Sequence, residues 1–240
     1  MGDNGVVALF LAAWPSSALA ATLVPEPLGA TGAPGAEQPS PPGPPEPPGR
    51  SQGQRPADAP TGDEAGPLAD LRPVPVADRH ATLLYLGPSP LEPVLTVLDA
   101  LETSPGVDGP GSGATGAVVA VVGAETVALG AGALVVPVAG LDPLAAALCR
   151  LVDAAGLSVT PDGPPAGGFV GHVTVARPRR AATRRRRAAA LRAASGLAVP
   201  GAGARWRVAE VVLAASEPVP DGAGRLPGGR YGIVRRVALG

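Results

Sequence analysis

The sequence predicts a mixed fold of strands and helices built as two similar lobes, and three observations carry that prediction. An order of strand, helix and strand bearing His-x-Thr occurs twice, from Val6 to Thr82 and from Ala133 to Thr174. A repeated order of elements is the mark of a duplicated unit, and two such units bury apolar faces that neither could bury alone. Strand-length apolar runs such as HATLLYLG and FVGHVTVAR alternate with stretches of helical period such as Leu91, Leu95 and Leu98. The 240 residues are also enough for one sizeable core or two small lobes.

Taken in order, the elements begin with a buried strand from Val6 to Trp14, then Pro15 and an N-capping Ser16 that open a short helix with Leu19 and Leu23 four residues apart. The same apolar start followed by ALAA resembles a secretory leader, but MGDNG carries Asp3 and no basic side chain, so export is the lesser expectation. From about 25 to 68 the chain holds PSPPGPPEPPG and few large apolar residues, too little to offset the entropy of ordering, and a disordered insertion is expected there. A β-type run resumes near Leu71 and should stop at Gly87 and Pro88. Ser89, Pro90 and Glu92 then read as N-cap, first helical residue and capping-box partner of a helix.

Two apolar runs, Gly116 to Val122 and Ala133 to Val138, follow as adjacent strands. Asp142 and Pro143 open a helix striped by Leu144, Leu148, Leu151 and Val152 and stopped by Gly156. Phe169 to Arg177 is the second His-x-Thr strand, Ala181 to Ser195 a helix, and Trp206 to Ala215 and Arg230 to Leu239 the closing strands.

Composition bounds the chemistry. Aromatic residues are only 2%, so the core must be Ala, Val and Leu. All 19 basic residues are Arg, and they are unevenly placed: residues 1–110 carry 13 acids against 4 Arg, residues 111–240 carry 7 acids against 15 Arg. A basic C-terminal half suits an anionic substrate such as RNA, although a solvated surface gives the same pattern. Seven of those Arg lie between Arg177 and Arg187, where an RNA-backbone contact and a solvated helix face are equally good readings. Cys149 is the only cysteine, which excludes an internal disulfide, and with two histidines in the chain the usual zinc ligand sets are out of reach. Metal-free chemistry is the expectation.

Those two histidines carry the strongest signal, because each is followed two places later by threonine: His80-Ala81-Thr82 and His172-Val173-Thr174. With 11 Thr in the chain, the chance of both coincidences is roughly 0.002. In a strand, residues i and i+2 share a face, so each unit offers an imidazole beside a hydroxyl. Imidazole accepts or donates a proton near neutral pH, and hydroxyls can donate to phosphate oxygens as charge concentrates there. Two such units can clasp one phosphate.

These segments resemble the two-histidine phosphoesterases, and within them the LigT-like RNA 2',3'-cyclic phosphodiesterases, also called ThpR and formerly 2'-5' RNA ligases. The resemblance spans nearly the whole chain: ALFLAAWP looks like the opening strand, HATLLYLG the first signature, FVGHVTVAR the second, and VVLAASEPVPDGAGRLPGGRYGIVRRVAL the closing strands. It implies a single α+β domain over residues 1–240, bilobal, with two pseudo-symmetric antiparallel sheets lining a central groove and helices packed outside. It further implies that His172 is the proton acceptor and His80 the proton donor in hydrolysis of a 2',3'-cyclic phosphate to a 2'-phosphomonoester, with Thr82 and Thr174 holding phosphate oxygens. Arg177 and Phe10 match family positions near the phosphate and the base of the groove, yet strict alternation turns Arg177 away from His172 unless the strand bulges.

Gly171 stands where the family often has Pro, which is expected to loosen the approach to His172. No cofactor or metal is expected, the partner would be RNA or an oligonucleotide with a 2',3'-cyclic phosphate end, and a cytoplasmic monomer with no membrane association follows from the same likeness. The alternatives are 2'-5' ligation or small cyclic-nucleotide hydrolysis at the same site, and a non-catalytic RNA- or nucleotide-binding module.

Overall fold

A computed structural model describes residues 7–29, 66–103, 117–157, 169–216 and 229–239. The first strand, β1 (Val7–Ala13), leads to α1 (Ser17–Ala21), whose first turn is closed by the Ser16 hydroxyl accepting from the Leu19 N–H. Both ends of the stretch expected to be disordered carry regular structure. Glu26–Gly29 forms α2 and anchors on a fully buried Leu28, and Pro67–Asp70 forms a 3-10 turn, while residues 30–65 lie outside the described residues. Apolar side chains at the margins find the core even where the composition between them is poor.

The run from Leu71 is broken where one strand was expected. β2 (Leu71–Pro73) is separated from β3 (Ala81–Ser89) by a 3-10 turn at Val76–Asp78, after Pro73 and Pro75 have removed two strand donors. Gly87 and Pro88 do not end β3. Gly87 adopts φ 67° and the strand bulges there, with Leu9 opposite Gly87 and Phe10 opposite Tyr85, so pairing continues to Ser89. Ser89 thus closes the strand, its hydroxyl donating to the Leu86 carbonyl, and α3 (Leu91–Thr103) starts one residue later than the capping pattern implied.

In the second lobe, β4 (Val119–Val122), β5 (Val127–Leu129) and β6 (Ala133–Ala139) precede α4 (Asp142–Ala154), which buries Leu144, Leu148 and Val152 and is followed by Gly156 at φ 67°. β7 (His172–Pro178) leads to α5 (Arg184–Ala194), capped by the Thr183 hydroxyl. The strand expected over Trp206–Ala215 is two: β8 (Arg205–Arg207) pairs with β4, and β9 (Glu210–Ala215) crosses to the first lobe to pair with β1 and with β10 (Gly232–Ala238).

The strand order is β10-β9-β1-β3-β7-β6-β4-β8, antiparallel throughout, with β2 added to β7 and β5 to β6. The fold is α+β, and its two halves correspond: β1 with β3 in one lobe stands for β6 with β7 in the other. β3 and β7 meet through one residue pair, Ala81 with Val173. The main core fills the helical side of the sheet with Leu9, Leu11, Leu134, Leu148 and Leu213, all fully buried, and a smaller cluster of Phe10, Ala12, Val212, Ala214 and Ile233 lies on the opposite face of the first lobe. Among the described residues no helix is long and apolar enough to cross a membrane.

Candidate active site

The single pair Ala81 and Val173 decides where the groove opens. Beyond it β3 leaves β7, and on the same edge β2 takes over, pairing Arg72 with Arg177 and Leu71 with Pro178. The parting strands leave a cavity of about 390 Å³ whose lining includes Phe10, His80, Thr82, Thr174 and Arg177. Antiparallel pairing at Ala81 and Val173 sets His80 across from Thr174 and Thr82 across from His172. Ala81 and Val173 themselves are fully buried on the reverse face. His172 starts β7 at the rim, partly exposed, and is not among the lining residues of the cavity.

The two imidazoles are held alike. His80 Nδ1 donates to the Asp78 carbonyl at 2.8 Å and His172 Nδ1 to the Val170 carbonyl at 2.9 Å, in each case two residues back along the chain. A carbonyl only accepts, so Nδ1 carries the hydrogen and Nε2 is left to exchange protons. Neither threonine hydroxyl has a hydrogen-bond partner among the described residues, which leaves both available to a ligand.

The lobes then diverge by one residue type at equivalent places. After Thr82 the strand bulges at Leu83, so that Leu83 and Leu84 are both buried and Tyr85 returns to the groove face. After Thr174 it bulges at Val175, so that Val175 and Ala176 are both buried and Arg177 returns to the groove. The bulge is what strict alternation lacked, and it brings Arg177 to the cavity that holds Thr174.

His80 sits in an aromatic box. Phe10 stacks on it with centroids 5.0 Å apart, Trp14 lies at 4.7 Å, and Tyr231 meets it edge-on at 5.0 Å. Half of the six aromatic residues in the chain thus touch one histidine. The box is itself pinned: the Trp14 indole donates to the Ala77 carbonyl, and Asp78, buried, accepts from the Arg230 N–H at 2.8 Å. The Arg230 guanidinium donates to the Tyr231 hydroxyl and lies over its ring. On the core side of the chain the next residue, Arg79, is buried and donates to the Val74 and Ala20 carbonyls, which fixes the backbone into His80.

Burial pushes the His80 pKa down to about 4, opposed by its hydrogen bond to the Asp78 carbonyl and helped by the charges of Arg230, Arg177 and His172. The unliganded ring is therefore neutral at pH 7. Trp14, Tyr85, Arg230 and Tyr231 were not singled out in the sequence as site residues, and their only signal there is that a chain poor in aromatics spends four of six on elements flanking His80. Gly171 does not loosen the site as expected. A Cβ there would stand 2.3 Å from the Val138 carbonyl oxygen, so the backbone before His172 is pressed against β6. Among the described residues no group of three or more His, Cys, Asp or Glu side chains could hold a metal ion.

The α+β sheet parted at its centre has the LigT-like fold, which the solved structures similar to it share. Neither a scan against protein-family models nor a search of curated proteins finds a match. Among solved structures the chain is similar to TT0787 of Thermus thermophilus, at 19% identity and TM-score 0.55 with 97% of each chain covered. It is also similar to E. coli LigT complexed with 3'-AMP, at 17% identity and TM-score 0.54 over 97% of this chain and 98% of that one. A further structure, described as a phosphoesterase, matches at 17% identity and TM-score 0.54 over the same shares.

Proposed function

We propose that the chain is a two-histidine phosphoesterase that hydrolyses RNA 2',3'-cyclic phosphate ends to 2'-phosphomonoesters. The observation that carries this reading is the matched tethering of His80 and His172 through Nδ1, with both Nε2 atoms left over and, beside them, two threonine hydroxyls that have no partner among the described residues. The fold shared with a phosphoesterase and with LigT solved with 3'-AMP supports it.

In this reaction His172 Nε2 takes a proton from water as the water oxygen bonds to phosphorus. The bond from phosphorus to the 3' oxygen breaks, and His80 Nε2 gives that oxygen its proton. Thr82 and Thr174 donate to the non-bridging oxygens, where charge builds up, and Arg177 neutralises part of it. Phe10 holds the His80 ring by stacking.

A donor must carry its proton in the complex, so this role for His80 depends on the phosphate's negative charge raising the pKa from about 4. The low value alone favours a second reading with the roles exchanged, His80 accepting and His172 donating. With the roles exchanged the water enters from the His80 side, so the same 2'-phosphomonoester forms with the cyclic phosphate turned around in the groove.

Incubating the purified chain with an oligonucleotide ending in a 2',3'-cyclic phosphate tests the proposal. The expected product is one water heavier and bears a 2'-phosphomonoester. Joined 2'-5' products would favour ligation, and tight binding with the cyclic end intact would mark a binding module.

A further inference from the structure

The groove does not end at the two histidines. It continues, past Val74 and Asp78, into a second cavity of about 350 Å³ lined by Arg72, Arg177 and Arg230. Arg72 and Arg177 are directly opposed across β2 and β7. Like charges in that position repel, and a sheet that keeps them gives up stability unless an anion sits between. Neither guanidinium has an ion-pair partner among the described residues. The one acid among the described residues of the lining, Asp78, is buried and already bonded to the Arg230 N–H, with the Arg230 guanidinium 3.8 Å away, so it does not neutralise the opposed pair.

We infer that Arg72, Arg177 and Arg230 form a second phosphate subsite that takes the 5' phosphate of the same nucleoside whose cyclic phosphate reacts. The assignment rests on the proposed function for the position of the first phosphate. Arg177 lines both cavities and so reaches either group. On a nucleoside with its 2' and 3' oxygens in the ring, the only other phosphate is at the 5' oxygen. In an RNA end that phosphate is the link to the preceding nucleotide, so the subsite favours polynucleotide ends over free nucleoside cyclic phosphates. Planar guanidiniums suit it, since they hold phosphate through paired donors.

Calorimetric titration of the full chain with adenosine 2'-monophosphate and with adenosine 2',5'-bisphosphate tests the subsite without requiring turnover. At low salt the bisphosphate should bind about tenfold tighter or better, the size expected for added charge-assisted hydrogen bonds. That ratio should contract with rising salt and fall towards one in Arg72→Gln, while Arg72→Lys keeps part of it. Arg72 is exposed on a short strand, so the folded state of each variant is readily checked by its unfolding curve. Equal affinities in the parent chain, or a preference that survives Arg72→Gln, would overturn the subsite. A preference that stands while no cyclic phosphate is hydrolysed supports the subsite and sinks the proposed reaction instead.

Discussion

Ala81 and Val173, the middle residues of the two His-x-Thr units, face each other as the only pair joining β3 to β7. The junction of β3 with β7 and the two His-x-Thr units are thus one stretch of backbone. Because both middle residues are fully buried, the period of two sends His80, Thr82, His172 and Thr174 to the other face together. Anything that shifts this pair shifts both imidazoles.

The His80 box makes a prediction about protons. With burial the leading cause, its pKa lies near 4 in the free protein, against about 6.5 in an unfolded chain. Between those values the unfolded chain binds a proton that the folded one refuses, so stability is complete above pH 6.5 and falls as pH drops towards 4, by about 3 kcal/mol from this residue. Urea unfolding of His80→Gln should lose correspondingly less between pH 7 and 4. Proton-detected titration of the ring should also show its midpoint rising when inorganic phosphate is added; a midpoint that stays near 4 would assign His80 the acceptor role.

The threonine hydroxyls should matter to rate more than to stability. Thr82→Val and Thr174→Val keep the shape of the side chain and remove a donor that no group among the described residues uses. Each should lower kcat by about 10²-fold, the usual cost of losing one donor to a developing anion, with unfolding free energy changed by less than about 1 kcal/mol. Steady-state kinetics beside urea unfolding checks both halves.

Gly171 offers a test of positioning. A methyl group there meets the Val138 carbonyl oxygen at 2.3 Å, and that oxygen belongs to backbone that cannot swing aside. Gly171→Ala should cost about 1–3 kcal/mol of stability, the range for overpacking, and displace His172 with a fall in kcat larger than any change in KM. An unchanged kcat would separate the backbone at 171 from the placement of the imidazole.

Much of this arrangement was legible because it rests on local rules. The repeated order of elements foretold two corresponding halves, and Ser16 and Gly156 marked helix ends through chemistry that needs no tertiary partner. The candidate site was legible as a recurring triplet, of which the structure brings His80, Thr82 and Thr174 to one cavity. What stayed hidden depends on contacts far apart in sequence. The bulges at Leu83 and Val175 follow from pairing with neighbouring strands, and only they explain why Tyr85 and Arg177 face the groove. Tyr231 and Arg230 reach His80 across some 150 residues, through Asp78, and Trp206–Ala215 splits because its halves serve different lobes.

The proposed chemistry depends on two imidazoles acting as a unit on one phosphorus. The most direct measurement is hydrolysis of a 2',3'-cyclic phosphate end by His80→Ala, His172→Ala and the double variant. Groups that act together are non-additive, so each single change should cost about 10²–10⁴ in kcat and the double little more. Turnover that survives both substitutions, or losses that simply multiply, would contradict that joint action.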